Sequence, residues 1–218
     1  MPDAEPAARP RDAATLILLD GEGEATRVLM GRRSARHVFM PSVYVFPGGR
    51  VDRDDSRGPA TGTLDARDER RLIDGLGSRG TPTRARALAV AALRETWEET
   101  GRAIGAVAGG RLVPSLSGLR YVARAITPPG RTRRFDTRFF AARLGALPAL
   151  TEGHGATDEL EDLTWVPLHR EEDRPLARIT AIILDELRER LAADPLLERD
   201  VPVPFYRPRH GRVTRETQ

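Results

Sequence analysis

The sequence predicts an α+β fold in which a mixed β-sheet is sandwiched with helices, and three observations carry that prediction. Apolar runs of strand length alternate irregularly with two long helical patterns, as α+β sandwiches do. No repeat period is visible along the chain. Hydrophobic residues make up 39% and charged residues 31% of the 218, the balance of a folded soluble domain with enough chain to bury a core.

Taken in order, residues 1–12 are rich in Pro, Ala and charge, lack an apolar h-region and read as a disordered leader. A single domain is expected over 13–193. Ala13 to Leu19 is a continuous apolar run closed by Asp20-Gly21, so a buried strand and its turn. Arg27 to Arg33 reads as the second strand of that hairpin. Ser34 to Met40 and Pro41 lead to a short strand, Val43 to Phe46, which empties into Pro47-Gly48-Gly49, where carbonyls can approach a ligand closely. Residues 56–84, rich in Gly, Pro, Asp and Arg, read as an insertion laid over the surface near the site, with one helical candidate at Asp65 to Leu76. Its expected effect is on substrate choice rather than on folding.

A helix follows from Ala87, stopped by Gly101. Ala106-Val107-Ala108 precedes a Gly-Gly turn, and Leu116 to Tyr121 reads as a short helix. Tyr121 to Thr127 and Thr137 to Leu144 are strands. Residues 145–158 form a Gly- and Pro-rich loop containing His154, and Leu160 to Pro167 is the last strand. Arg174 to Ala193 is an amphipathic helix whose stripe is Leu176, Ile179, Ile183, Leu187 and Leu191. Residues 194–218, with Pro195, Pro202, Pro204 and Pro208, are expected to be an irregular tail.

The net charge is only +3, and all 35 basic residues are arginine, so the positive count gives no strong field and no case for nucleic acid. Cysteine is absent, which excludes disulfides, thiolate metal sites and a thiol nucleophile. No apolar run reaches membrane-spanning length, and a cytoplasmic location is expected. His37, His154, His169 and His210 share no metal-ligand spacing.

The chemistry concentrates at the end of the Ala87–Gly101 helix. Glu95, Glu98 and Glu99 stand at i, i+3 and i+4, so three carboxylates crowd onto one face at the wrong pole of the macrodipole. Val90, Leu93 and Trp97 line a different, apolar side. A solvated acidic face paired with arginines is the commoner meaning of such a string; hard divalent cations with oxygen ligands suit it better once its flanks are considered.

Those flanks, Phe46-Pro47-Gly48-Gly49-Arg50-Val51-Asp52 upstream and Arg94-Glu95-Thr96-Trp97-Glu98-Glu99-Thr100-Gly101 itself, resemble the Nudix hydrolase family. The family's box reads Gly, five residues, Glu, seven residues, then Arg-Glu-U-x-Glu-Glu-x-Gly-U, with U aliphatic. Gly49 matches the first glycine, and six positions on stands Asp55 in place of Glu. The path to Arg94 is thirty-one residues longer than in the family, and Thr96 and Arg102 occupy the aliphatic positions.

The resemblance implies a Nudix-type α/β/α sandwich and hydrolysis of a diphosphate in a nucleoside-diphosphate-X substrate, with Mg²⁺ or Mn²⁺ as cofactor. It implies Glu95 and Glu99 as the first-choice metal ligands, helped by the Gly48 carbonyl, with Glu98 as third ligand or base. Glu159, six positions before Trp165, is the other candidate base, against the plainer reading of a solvated loop acid beside Asp158, Glu161 and Asp162. Arg94 is implied to hold a box carboxylate, with Gly49 and Gly101 as structural support, and Arg32, Arg33 and Arg50 to bind phosphates.

Within the family, Arg32-Arg33-Ser34, Phe39-Met40-Pro41, Thr127-Pro128-Pro129-Gly130 and Arg134 to Phe140 resemble the coenzyme A and acyl-CoA diphosphatase branch, although its signature has Gly where Ser42 stands. An ADP-ribose or NADH pyrophosphatase is the alternative, and a non-catalytic nucleotide-sensing module a second. A helical interaction protein with a solvated acidic face is a third and fits the Pro-Gly-Gly turn least. The expected partner is a small nucleotide diphosphate, with neither nucleic acid nor membrane; a homodimer is left open.

Overall fold

The computed structural model describes residues 8–34, 41–147, 150–152, 157, 159–169, 174–209 and 211–218. The leader up to Ala7, most of the Ser34–Met40 segment, His37, His154, Asp158 and His210 lie outside the described residues. In chain order the elements are β1 (Arg11–Asp20), β2 (Arg27–Arg33), β3 (Tyr44–Val45), β4 (Gly48–Arg50), α1 (Ala66–Gly75), α2 (Pro82–Thr100), β5 (Arg102–Ala108), β6 (Arg111–Pro114), β7 (Arg120–Ile126), β8 (Phe135–Arg143), β9 (Leu150–Glu152), β10 (Leu160–Pro167), α3 (Arg178–Ala193), β11 (Pro204–Arg209) and β12 (Arg212–Thr217).

The α+β expectation is met by a mixed sheet ordered β10-β2-β1-β8-β7-β11-β12, with β3 on β2 and β4 on β1, and by a second sheet ordered β6-β5-β9. β1 is parallel to β8 and antiparallel to β2 and β4. Its unbroken apolar run reflects burial on both faces. Leu16 and Leu18 join α1 and α2 in one core; Ile17 and Leu19 join α3 in the other. Helices thus cover both faces of the sheet. Among the described residues no helix is long and apolar enough to cross a membrane.

The structure corrects the insertion. Residues 56–84 are not only a surface layer but are anchored in the core: Leu64, Leu72 and Leu76 are buried with the α2 leucines. Asp65 caps α1 through the Arg67 N–H, as its position at the head of the helical pattern suggests. Asp68 is fully buried, accepting from the Tyr121 N–H at 3.0 Å and from Arg120 Nε at 2.9 Å. Shortening 56–84 to family length is therefore expected to unfold the protein. Leu72→Ala alone should cost about 2–5 kcal/mol, read as a lowered thermal midpoint; an unchanged midpoint would show that this packing contributes nothing.

Two further expectations fail. Leu116–Tyr121 is no helix: Gly118 takes φ 82, the Leu116 N–H bonds Thr61 O at 2.9 Å, and β7 starts at Arg120. The tail is not irregular at 204–209 and 212–217, where β11 and β12 pair antiparallel and β11 lies parallel to β7. Its prolines misled because Pro208 lies beyond the Phe205 and Tyr206 positions that pair with β7, so its missing N–H breaks nothing there.

Candidate active site

β1 and β2 pair only at Leu19–Asp20 and Arg27–Val28, and the 44–50 segment fills the fork between them. β3 bonds to β2, and β4 lies beside Ala13, Ala14 and Thr15 of β1. This brings Gly48-Gly49 onto the acidic end of α2. α2 begins at a Thr81 cap and ends where Gly101 turns left-handed at φ 72, which only glycine adopts cheaply, so the stop expected at Gly101 is observed.

Each acid has its own surroundings. Glu99 is buried, 3% exposed, and accepts the Gly48 N–H at 2.8 Å. Burial pushes its carboxyl up to about 8; the Gly48 bond opposes the rise, and the Glu95 charge adds to it. Burial also raises Glu95 above the usual carboxylate range, against the pull of Arg94, with Glu98 and Glu159 adding to the rise. Gly49 lies directly against Glu95; a Cβ there would overlap its carboxylate. Glu98 is the most open of the three, and its carbonyl takes the Thr157 N–H at 2.7 Å.

Arg94 ties the group together. Its Nε and Nη2 fork onto Asp55 Oδ1 and Oδ2 at 2.8 and 3.1 Å, Nη1 reaches Glu95 at 2.9 Å and Glu98 at 2.8 Å, and Nη2 also bonds Arg50 O at 3.0 Å. Burial alone would lower the guanidinium's pKa, but Asp55, Glu95 and Glu98 together raise it. Arg94 thus holds Glu95 and Glu98 and, through its fork, Asp55, which is 2% exposed and also accepts the Asp52 N–H at 2.7 Å. Asp55 is the member of this cluster that motif reading undervalues. A 3-10 turn at Asp54–Ser56 carries the shorter side chain up to the guanidinium.

The remaining expected residues divide. Arg33 lies close enough for its charge to lower the Glu99 carboxyl, and Glu159 close enough to raise both Glu95 and Glu99. Arg32 pairs with Glu161 at 3.0 Å, and Arg50 pairs with Asp52 at 3.2 Å at the open end of β4. Gly48 enters through its N–H, which the Glu99 carboxylate accepts. The two positions where the box expects aliphatics are accommodated: Thr96 is buried with its hydroxyl on Ala92 O at 2.8 Å, and the Arg102 guanidinium covers the Trp165 ring at 5.6 Å.

Among the described residues no three acids converge on one point as a ready-made metal cage, because Glu95 and Glu98 lean on Arg94 while Glu99 leans on Gly48. The donor set nevertheless fits a hard divalent cation. Two carboxylates one turn apart, the half-buried Glu95 and the buried Glu99, are kept above their ordinary pKa by desolvation first and by neighbouring carboxylates second, and bound positive charge relieves both costs.

A family model described as NUDIX domain matches residues 79–187, half of the chain. The match starts after the Pro-Gly-Gly turn, so the turn's share in the site rests on the contacts above. A Nudix hydrolase from Alicyclobacillus acidocaldarius is 29% identical, with TM-score 0.54 over 81% of this chain and 90% of that one. The NUDIX domain of Shewanella oneidensis NrtR complexed with ADP ribose is 16% identical, with TM-score 0.50 over 87% and 94%. A MutT/nudix family protein from Enterococcus faecalis is 19% identical, with TM-score 0.51 over 90% and 68%. No curated protein matches.

Proposed function

This chain belongs to the Nudix family and is a hydrolase, and from that premise we propose that it cleaves the diphosphate linkage of a nucleoside-diphosphate derivative, coenzyme A or an acyl-CoA being the best fit. One observation carries the reading: the half-buried Glu95 and the buried Glu99 stand one turn apart on α2, with the charge of Glu159 near both. Glu95 and Glu99 would hold Mg²⁺ or Mn²⁺, with Glu98 as a third ligand. When bound, the metal supplies neutralisation of the diphosphate's charge and a lowered pKa for water.

The chain's own residues do the rest. Arg94 and Gly48 orient the carboxylates through the bonds described above. Arg33, whose charge lowers the Glu99 carboxyl, contributes charge toward the substrate. Glu159 accepts the proton of the attacking water, with Glu98 as the competing candidate. For the coenzyme A branch, the support is Ser42: it takes φ 61, so the left-handed backbone that a glycine would supply there is kept by serine.

The test is a panel of coenzyme A, NADH, ADP-ribose and nucleoside triphosphates with Mg²⁺ or Mn²⁺, read by product mass. Cleavage of coenzyme A to a phosphopantetheine product supports the proposal; preference for ADP-ribose, which the S. oneidensis domain binds, would favour the alternative.

The raised Glu99 carboxyl gives a pH prediction. A carboxyl whose folded pKa lies above its unfolded one holds its proton better in the folded state, so the metal-free protein loses stability as pH rises through about 8. Thermal midpoints without metal are expected to fall between about pH 5 and pH 9. Mg²⁺ should raise the midpoint more at pH 9 than at pH 6, and turnover should rise toward alkaline pH. A metal effect independent of pH would sink this account.

A further inference from the structure

We propose that Tyr44 and Asp162 are positioning residues for Glu159, because their hydrogen bond holds the β-bulge that sets where β10 begins. The inference rests on the reading of Glu159 as the base.

The bulge is visible in the register. Leu160 pairs with Arg33 and Glu161 with Arg32, but the next pair is Thr164 with Met30. β10 therefore spends three steps where β2 spends two, and one residue is extra. The side chains show the same thing. A Cβ at Gly31 would come 2.8 Å from Leu160 Cβ and 3.0 Å from Leu163 Cδ2, so both leucines lie over Gly31. Residues three apart in an unbroken strand face opposite sides.

The consequence reaches Glu159. With no bulge, the lower register would run on and put Glu161 opposite Arg33. Glu159 would then shift by one residue, about 3.3 Å, and its side chain would turn to the other face. In the structure its carbonyl instead takes the Ser34 N–H at 3.1 Å, and its charge reaches Glu95 and Glu99.

What holds the bulge is specific. Asp162 sits at φ 52, a left-handed conformation that aspartate tolerates better than most residues but does not prefer. Its carboxylate accepts the Tyr44 hydroxyl. Tyr44 is a rigid donor, 6% exposed, paired with Arg32 on β2 and bonded through its N–H to Pro175 O at 2.8 Å. Four residues later the same segment presents the Gly48 N–H to Glu99. One short piece of backbone thus fixes a metal-side acid and, through Asp162, the candidate base.

The test uses the full chain with Mg²⁺ and the fastest substrate of the panel above. Tyr44→Phe removes only the hydroxyl. It is expected to lower kcat by about 10- to 100-fold, the cost of a misplaced group, with KM and calorimetric Mg²⁺ affinity within about twofold. In a Glu159→Gln background the same change should have no further effect on kcat. Asp162→Asn, which keeps an acceptor and tolerates the left-handed conformation, should retain most activity, whereas Asp162→Val should match Tyr44→Phe. Independently of turnover, amide exchange across Glu159–Thr164 should quicken in Tyr44→Phe while α2 stays protected. Full additivity of Tyr44→Phe with Glu159→Gln, or wild-type kcat in Tyr44→Phe, overturns the positioning role alone. Wild-type kcat in Glu159→Gln removes the base assignment and this inference with it.

Discussion

Glu99→Gln is expected to lower Mg²⁺ affinity and kcat together, kcat on the order of 10³-fold, the several kcal/mol that charge neutralisation by a bound cation supplies. Glutamine still accepts the Gly48 N–H and keeps the shape of a side chain that is 3% exposed, so the loss reports charge rather than packing. Raising Mg²⁺ should recover part of it. Glu159→Gln should behave differently: kcat falls about 10²–10⁴-fold while metal and substrate binding barely change, and added Mg²⁺ does not help. If Glu98→Gln shows that second pattern and Glu159→Gln does not, Glu98 is the base. Metal titrations of kcat for the three variants decide this. Wild-type turnover in all of them would make the acidic face structural.

The parts of this fold that were legible are those in which local pattern and tertiary role agree. β2 and β10 match the expected Arg27–Arg33 and Leu160–Pro167 because their apolar residues are bounded by charge or proline at the points where pairing ends. The helix stop at Gly101 follows from one residue's conformational freedom. The Glu95, Glu98, Glu99 face follows from helical spacing alone. The insertion's helix was legible, since α1 lies where Asp65 to Leu76 was expected, but its burial was not, because Leu64, Leu72 and Leu76 are scattered among Gly, Asp and Arg and their burial depends on where α2 and β7 lie. The C-terminal strand pair was hidden by prolines that sit where no N–H is needed. Asp55 stood out as a mismatch in a motif, and its partnership with Arg94, thirty-nine positions away, appears only when the 3-10 turn folds back. Asp162 gave no local sign, since a bulge is a property of two strands' register.

The Asp55–Arg94 pair carries the second large effect, this time on stability. Arg94 forms bonds to Asp55, Glu95, Glu98 and Arg50 O from three nitrogens, a fork that a point charge cannot reproduce. Asp55→Ala leaves that largely buried guanidinium, 21% exposed, without its main partner, so stability should fall by about 3–5 kcal/mol. Glu95 and Glu98 would lose their shared anchor at the same time, and Mg²⁺ affinity should drop even at temperatures where the variant stays folded. Arg94→Lys should lose comparably, because one ammonium cannot meet both Asp55 oxygens. Asp55→Glu is the discriminating change, since glutamate is the box residue of the resembled family. Here the 3-10 turn has already closed the gap for the shorter side chain, and the extra methylene enters a site that is 2% exposed. It should therefore cost about 1–3 kcal/mol rather than stabilise, measured by denaturant unfolding. A more stable Asp55→Glu protein would show that the turn is adaptable and that aspartate is not matched to this loop.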